Sequence, residues 1–444
     1  MDPISPRLIF VALGVAALAA CADDVPTRTL VVTFAPSPEA AAAGTTLADL
    51  ALGAHWDDGR PATGIALTLT VTGGGAASPT QVTTDHAGVA RCDWLLGPLP
   101  IVNTIHAATT DATDAADAGA TLKVMATPGT TLASAPFAEV EAFLAAVGAT
   151  GSTEDLAFSP SGTLMMAYGG DSAGLFEVHP DGGVTAFPTT GAPLQHPLGL
   201  AYDPLGTLYV ADAGAKALLK VSGHDVAVLQ DHDGAEPFAS PNDVAVGPDG
   251  TVFLSDTCTG KVYAVDPTTG AVRARVAFDP ATDGGPNGLV VGPDGALWLT
   301  TENTAIFCAD GAVELTAPVA GLYRIPLGGD AVMEPPETIQ AAVGVFGDGL
   351  AFDAAGNLLV IFDTTAGLAL DESIVFVGGW TGVPLVRAFA ARGKVYANLA
   401  FGEGAFGTTT LYLAMLEVAL VPDSPRGLER VDVRVTGAAL PARP

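Results

Sequence analysis

The sequence predicts an all-β protein, an N-terminal β-sandwich followed by a six-bladed β-propeller. At 444 residues the chain is longer than one ordinary hydrophobic core requires, and its 49% hydrophobic and 15% charged residues are typical of globular proteins. The 53 glycines and 33 prolines suit many short strands joined by tight turns. From Glu154 onward, a strand–turn–strand unit recurs six times, as expected of propeller blades.

The N-terminus is predicted to direct export. Arg7 precedes an apolar run that ends at Ala20 and is too short to span a bilayer as a mature helix. The run closes with the letters LAAC, which resemble a lipoprotein signal in which the cysteine, Cys21, carries the lipid. Ordinary signal cleavage nearby, with Cys21 incidental, is the alternative. We therefore expect a signal peptide over residues 1–20 and a tether over 21–28.

The predicted location is the bacterial cell envelope, and the outer membrane if the cell has two. Contact with the membrane would be made only through the lipid on Cys21. The formal net charge of −30 repels nucleic acid and favours cation binding, so no nucleic-acid partner is expected.

Residues 29–126 alternate polar and apolar side chains between turn signals, which predicts a β-sandwich. The stretch GIALTLTVTGGGAASPTQVTTDHAGVARCDWLLG resembles bacterial Ig-like domains of the invasin type. That resemblance implies a spacer or adhesion module that could contact a protein partner. Cys92 has no predicted disulfide partner here. Residues 127–150 are predicted to be a linker with one short element, either a helical turn or an outer strand that helps to close the next domain.

The propeller is predicted over residues 151–436, with a tail over 437–444. Its units read EDLAFSPSGTLMMAY, LGLAYDPLGTLYVAD, NDVAVGPDGTVFLSD, NGLVVGPDGALWLTT, DGLAFDAAGNLLVIF and ANLAFGEGAFGTTTLYLA. Their first residues are separated by 44, 44, 45, 61 and 49 positions, in the range of a blade with loop insertions. One blade cannot bury both of its faces, but six blades packed around an axis can.

The first residue of each unit begins the innermost strand and is expected to point to one end of the axis. Four of these six residues carry side-chain oxygens, namely Glu154, Asn242, Asn287 and Asp348. The other two are the apolar Leu198 and Ala397. Two carboxylates and two amides suit a hard divalent cation, Ca²⁺ above all, and lack the His and Cys ligands typical of zinc.

Other residues near the ends of the second strands have less specific interpretations. Asp212 and Asp256 are predicted to cap turns. Cys258 and Cys308 follow second strands of neighbouring units, on the same face as the predicted cation. Two outcomes stay open for this pair: a disulfide that braces the site entrance, or two free thiols.

The motifs EDLAF, SPNDVAV, PNGL, GDGLAFDAAGNL and GLYRI resemble the senescence marker protein/gluconolactonase family of six-bladed lactonases, over residues 150–436. The resemblance implies that Glu154, Asn287 and Asp348 hold one divalent metal and that Asn242 lies beside the substrate. It also implies hydrolysis of a lactone or a related ester. Two positions depart from the family: Asp155 replaces the usual glycine, and the stretch FASP before Asn242 lacks an arginine that many members carry.

If the site is catalytic, Asp348 is the predicted general base of a metal-assisted hydrolysis. His196 is a second candidate for proton transfer, and a strand-entry histidine is its alternative interpretation. No G-x-S-x-G nucleophile elbow, phosphate loop or dinucleotide fingerprint occurs in the sequence. Two rival hypotheses for the whole protein are a non-catalytic NHL-type binding propeller with a structural metal, and an adhesin that displays propeller loops to a partner.

Overall fold

The computed structural model divides the chain into two compact units, residues 1–97 with 102–127, and residues 98–101 with 128–444. It describes residues 28–109, 119–129, 132–137, 142–143, 145–146, 151–170, 173–305, 308, 319–328, 332–366, 369–378, 385–416 and 426–438. The predicted all-β class with a propeller is confirmed in these residues.

The first unit is a sandwich of two sheets. One sheet has the order β1-β3-β7-β5, with β1 (Leu30–Phe34), β3 (Thr46–Trp56), β5 (Ala76–Ser78) and β7 (Val89–Leu95). The other has the order β2-β9-β8-β4-β6, with β2 (Ala40–Ala42), β4 (Ala66–Thr72), β6 (Gln81–Thr83), β8 (Val102–Thr109) and β9 (Gly119–Thr127). The pairing of β2 with β9 is parallel, and the other pairings are antiparallel.

Alternation along the strands builds the sandwich core. In β7, Ala90, Cys92 and Trp94 are buried while the residues between them are exposed. They pack with side chains of both sheets, such as Leu52 and Ile105. Cys92 is a free thiol, as predicted, and burial raises its pKa to about 11. The Ig-like assignment of this unit stays a prediction.

The second unit contains six consecutive groups of strands, which are antiparallel except that the short β15 pairs in parallel with β19. Blade 1 comprises β11 (Gly151–Phe158), β12 (Leu164–Gly170), β13 (Gly174–Val178) and β14 (Val184–Phe187). Blade 2 comprises β16 (Pro197–Tyr202), β17 (Leu208–Asp212), β18 (Ala217–Ser222) and β19 (Asp225–Gln230), with the short β15 (Thr190–Gly191) at its outer edge. Blade 3 comprises β22 (Pro241–Val246), β23 (Val252–Asp256), β24 (Lys261–Val265) and β25 (Val272–Ala277). A small hairpin between blades 2 and 3 consists of β20 (His232–Asp233) and β21 (Glu236–Pro237).

The remaining three blades repeat this arrangement. Blade 4 comprises β26 (Gly285–Val291), β27 (Leu297–Glu302), β28 (Ala320–Ile325) and β29 (Glu337–Gly344). Blade 5 comprises β30 (Phe346–Phe352), β31 (Leu358–Ala366), β32 (Ala369–Gly378) and β33 (Val386–Arg392). Blade 6 comprises β34 (Tyr396–Phe401), β35 (Thr410–Met415), β36 (Gly427–Asp432) and the two-residue β10 (Ala135–Pro136), and one 3₁₀ turn, Gly404–Phe406, lies within it.

The six innermost strands form a closed ring. Each of β11, β16, β22, β26 and β30 contacts the next innermost strand in the chain, and β34 contacts both β30 and β11. This closure makes the second unit a six-bladed propeller. Hydrophobic clusters between neighbouring blades fill it, as where Phe253 of blade 3 packs with Leu299 of blade 4.

Blade 6 is completed by a strand from the start of the unit. Ala135 and Pro136 pair with Arg430 and Glu429 of β36, so a strand lies within the predicted linker of residues 127–150. The short element predicted within this stretch, AEVEAFLAAVGAT, lies mostly outside the described residues. Residues 98–101, inside the range predicted for the sandwich, group with the second unit. These residues belong to the second unit because Leu99 and Ile101 are buried in its core.

Every innermost strand contains a β-bulge at the position that the sequence singled out. The register shifts between Thr153 and Leu156 in β11, and equivalent shifts occur in all five other inner strands. A bulge places two consecutive residues of one strand opposite one residue of its partner and re-aims their side chains. Glu154 and Asp155 therefore occupy a bulge, as do Asp348 and Gly349.

The glycine after Asp348 is required by close packing. A Cβ atom at Gly349 would lie 2.0 Å from Oδ1 and 2.6 Å from Cα of Asn398 in blade 6. The Cα atom of Asn398 belongs to the backbone of β34, so it cannot yield without displacing that strand. Gly349→Ala is therefore expected to lower the free energy of unfolding by ~1–3 kcal/mol. Denaturant titration would measure this change. Gly328→Ala is the control, since its Cβ would make only ordinary contacts, at 3.6 Å from Val332. Equal destabilisation by both substitutions would contradict the packing argument.

Candidate functional site

The four predicted oxygen-bearing residues occupy equivalent bulges of blades 1, 3, 4 and 5. Asn287 is buried, and Glu154, Asn242 and Asp348 are half-buried. The inner strands of blades 3, 4 and 5 are successive neighbours in the ring, and the inner strand of blade 1 lies across the axis from that of blade 4. The same register in every blade therefore brings the four side chains to one end of the channel.

Asp348 lies in a strongly negative environment. Burial is the largest cause that raises its pKa well above the ordinary aspartate value. The charge of Glu154 is the next cause, followed by those of Asp363 and Glu302. Carboxylates that raise one another's pKa lie close together in a medium of low polarity. Glu154 and Asp348, from blades 1 and 5, therefore belong to one cluster.

Glu302, which our sequence analysis did not single out, is part of the same cluster. It ends β27 and is only 3% exposed. Nδ2 of Asn242 in blade 3 lies 3.5 Å from its Oε1. Burial, and then the charge of Glu154, raises the pKa of Glu302 to about 8, while hydrogen bonds from the side chains of Thr257 and Asn287 oppose that rise. One carboxylate of blade 4 thus interacts with both amides of the predicted shell.

Asp363 is a second acidic residue that sequence reasoning missed. It is 1% exposed and pairs across the sheet with Phe346. Burial raises its pKa to about 7, against a smaller lowering by the Ser373 hydroxyl. Within the described residues, neither carboxylate oxygen makes a hydrogen bond of acceptable distance and angle, so the Ser373 hydroxyl compensates the charge only weakly. A buried carboxylate in this state is costly unless a cation or a proton compensates it.

Like Asp212 and Asp256, the residues Glu302 and Asp363 lie near the ends of second strands. They pair with the inner strand one residue further from the bulge than those two aspartates do. Asp212 and Asp256 pair with the prolines that begin their inner strands, Pro197 and Pro241. Glu302 pairs one residue further out, with Gly285, in the strand of Asn287. A search of second-strand ends that allowed for this shift would have found both acids.

The turn-cap interpretation of Asp212 and Asp256 agrees with their hydrogen bonds. Asp212 accepts backbone N–H bonds from Gln195, His196 and Ala215, at 2.8 to 2.9 Å. Asp256 accepts bonds from Ala239 and Ser240 at 2.8 and 2.9 Å, and from Thr259 at 3.2 Å. Their carboxylates therefore hold the loops that lead into blades 2 and 3.

A second layer of polar side chains lies directly below the cluster, one residue further along the inner strands. Asp155 accepts N–H bonds from Leu156 and, in blade 2, from Leu200. Asp243 accepts bonds from Val244 at 2.7 Å and, in blade 4, from Leu289 at 2.6 Å. Asp155 thus links blade 1 to blade 2.

This layer forms the floor of a cavity on the far side of the channel. The cavity has a volume of about 510 Å³ and extends from Asp155 and Asp243 to Phe158 and Phe401 along the inner strands. Its walls are mainly aliphatic. None of Glu154, Asn242, Asn287 and Asp348 lines it, so the predicted site and this cavity lie at opposite ends of the inner strands.

His196 is half-buried at the entrance to blade 2. Its backbone N–H is held by Asp212 at 2.8 Å. A Cβ atom built on Gly169 would lie 2.8 Å from its Nε2, so the ring packs against the end of β12. Burial lowers the pKa of His196, with the Asp212 charge opposing the change. These contacts account for His196 as a strand-entry histidine.

The donors at the cluster fit a hard divalent cation, since they are carboxylate and amide oxygens. The unpartnered oxygens of Asp363 and the raised pKa of Asp348 indicate uncompensated negative charge that a cation would offset. Within the described residues, no group of three or more His, Cys, Asp or Glu side chains is arranged to hold a metal ion. The predicted shell differs from such a group because Asn287 contributes an amide beside the carboxylates of Glu154 and Asp348.

A disulfide joins Cys258 and Cys308, with an S–S distance of 2.01 Å and a Cα–Cα distance of 5.3 Å. Of the two outcomes left open by the sequence, the structure contains the disulfide. The bond connects the segments that follow β23 and β27, directly after Thr257 and a few residues beyond Glu302. It thus braces the part of the molecule that presents Glu302.

Loss of this disulfide is expected to destabilise the propeller. The two cysteines are 50 residues apart, so the bond restricts a long segment of the unfolded chain. Replacing both by serine should lower the free energy of unfolding by ~2–4 kcal/mol. Wild type in reductant, which opens the disulfide without changing any residue, is the control and should unfold at the midpoint of the double variant. An unchanged denaturation midpoint in the double variant would show that the bond contributes no stability.

Residues 1–27 lie outside the described residues, so the predicted signal peptide and the lipid on Cys21 stay predictions. No helix in the described part of the chain has the length and apolar character needed to cross a membrane.

Comparison with known proteins gives structural neighbours only. No protein-family model matches the chain, and no curated protein matches its sequence. A solved structure of a protein assigned as a gluconolactonase shares 20% identity over 65% of this chain and 91% of that chain, with a TM-score of 0.47. A gluconolactonase from Xanthomonas campestris shares 18% identity over 64% and 86%, also with a TM-score of 0.47.

A third neighbour is regucalcin from Agrobacterium tumefaciens, described as a calcium-binding protein. It shares 18% identity over 66% of this chain and 97% of its own, with a TM-score of 0.46. The fold assignment rests on the closed ring of blades, and the chemistry rests on the side chains of the site. The chain is thus similar to solved gluconolactonases and to regucalcin, at low identity.

Proposed function

We propose that the propeller is a divalent-cation-dependent hydrolase that opens a lactone or a related ester, with Ca²⁺ as the cation. One observation supports the proposal: Glu154, Asn242, Asn287 and Asp348 occupy equivalent bulges of the inner strands in the closed ring. This oxygen-rich, negative cluster suits a hard cation. The motif resemblance to six-bladed lactonases supports the same chemistry.

In this proposal Glu154, Asn287 and Asp348 hold the cation, and Asn242 contacts the substrate. When bound, the cation would supply Lewis acidity at the carbonyl oxygen of the ester. Asp348 would orient the attacking water and accept its proton. The turn bonds of Asp256 would keep the loop before Asn242 in place for substrate contact.

We further propose that the protein works outside the cytoplasm, anchored through a lipid on Cys21. The sequence of residues 1–21 supports this location. Metabolic labelling with a fatty-acid analogue in a bacterial host would test it. Label incorporation that Cys21→Ser abolishes is expected, and equal labelling of both proteins would contradict it.

The test of the proposed activity begins with elemental analysis of purified protein, followed by a panel of lactones and aryl esters with and without chelator. We expect about one equivalent of Ca²⁺ per chain and hydrolysis that chelator abolishes and Ca²⁺ restores. Hydrolysis that persists in chelator would contradict the proposed mechanism. A bound cation without turnover of any substrate would favour the binding propeller with a structural metal.

A further inference from the structure

Glu302 is a buried carboxylate to which the proposed reaction gives no role. It lies at the end of the second strand of blade 4, outside the ring of inner-strand residues that would hold the cation. Its side chain nevertheless reaches the cluster, because the charge of Glu302 acts on Asp348 and the charge of Glu154 acts on Glu302.

The contacts of Glu302 join two amides from different blades. Asn242 of blade 3 directs Nδ2 at Oε1 of Glu302, at 3.5 Å. Asn287 of blade 4 lies near the same carboxylate, and its side chain lowers the pKa of Glu302. With a cation bound beside it, the carboxylate is ionised and only accepts hydrogen bonds, so it faces the NH₂ end of each amide. Each amide then presents its carbonyl oxygen away from Glu302.

The backbone around Glu302 is held on both sides. Glu302 pairs with Gly285 in blade 4 and with Phe346 in blade 5, where it provides the pairing that joins the two blades into one sheet. The N–H of the next residue, Asn303, bonds to the carbonyl of Val345 at 3.0 Å. A side chain on such a fixed backbone is suited to orienting its neighbours.

We infer that Glu302 is a positioning residue of the cation site, which holds the amides of Asn242 and Asn287 so that their carbonyl oxygens face the axis. This inference rests on the proposed function, because it requires the cation. Residues that orient metal ligands typically change metal affinity by ~10–100-fold when replaced. Glu302 would act through the two asparagines and not as a ligand of its own.

Isothermal titration with Ca²⁺ would test the inference on the mature full chain, comparing wild type with Glu302→Gln. Glutamine keeps the size of the side chain but replaces one acceptor oxygen by a donor, so it can hold only one of the two amides. We expect the dissociation constant to rise ~10–100-fold. Glu429→Gln is the matched control, because Glu429 is also a buried acid, at 1% exposure, and its partners are Lys394 and Tyr396 in blade 6.

A double-mutant cycle would separate positioning from direct ligation. If Glu302 acts through the ligand Asn287, Glu302→Gln should weaken Ca²⁺ binding much less in an Asn287→Ala background than in wild type. Fully additive effects would overturn the inference, because they would make Glu302 an independent ligand. Unchanged affinity in Glu302→Gln, or an equal loss in Glu429→Gln, would also overturn it.

Two further comparisons separate failure of the proposed function, or misfolding of a variant, from failure of the role inferred for Glu302. If wild-type protein itself binds no Ca²⁺, the proposed function fails, whereas normal binding by wild type and by Glu302→Gln overturns only the role of Glu302. Should Glu302→Gln not fold, Glu302→Asp retains both acceptor oxygens on a side chain shorter by one methylene. We expect it to bind Ca²⁺ more weakly than wild type, and wild-type affinity would overturn the inference.

Discussion

Asp348→Asn is expected to leave the propeller folded and to reduce both Ca²⁺ affinity and ester hydrolysis at least ~100-fold. Asparagine has nearly the same shape as aspartate, so the bulge and its packing should persist. The substitution removes a negative charge that would bind the cation and the carboxylate that would accept a proton. It also removes repulsion with Glu154 and Glu302, so the cation-free protein should not lose stability.

Turnover of the best substrate, Ca²⁺ titration and thermal unfolding in chelator would together check this prediction. The control is Asp225→Asn at the start of β19, an exposed outer strand of blade 2. It should leave all three measurements unchanged. Wild-type turnover in Asp348→Asn would exclude Asp348 as the general base. Loss of turnover together with loss of folding would instead assign Asp348 a structural role.

The second large effect concerns pH. In the presence of chelator, the protein is expected to gain stability as the pH falls from about 8 to about 5. Burial raises the pKa of Glu302 to about 8 and the pKa values of Asp363 and Asp243 to about 7. In the unfolded chain these groups titrate near ~4. Between these limits the folded state therefore binds more protons than the unfolded state, so its stability falls as the pH rises.

Each such group contributes a slope of up to ~1.4 kcal/mol per pH unit within its window. Calcium should reverse the trend, because a bound cation stabilises the ionised carboxylates and protons compete with it. Added Ca²⁺ is thus expected to raise the melting temperature strongly at pH 8 and only slightly at pH 5. Melting curves at pH 5, 6, 7 and 8, with chelator or with Ca²⁺, would measure both effects.

Asp363→Asn provides the internal comparison for the pH series. It removes a buried carboxylate whose oxygens have no hydrogen-bond partner within the described residues. The variant should be more stable than wild type at pH 8 in chelator and should depend less on pH. A chelated wild-type protein whose stability rises from pH 5 to pH 8 would contradict the raised pKa values.

The sequence by itself determined the repeats and the residues that begin them. Six similar units predicted six blades because each unit carries its own strand pattern and turn residues, and these are local properties. The same local register placed Glu154, Asn242, Asn287 and Asp348 at equivalent positions. The turn-capping roles of Asp212 and Asp256 were equally readable, since both act on backbone groups that a strand pair brings next to them.

Only the tertiary structure decided which distant residues meet. Ala135 and Pro136 carry no strand pattern, and they become a strand because the edge of blade 6 offers unpaired backbone groups. Glu302 joined the cluster through amides of two blades, and Asp363 through its position beside Phe346. Such contacts depend on how the ring closes, which brings together segments far apart in the chain, and a local pattern does not encode that closure.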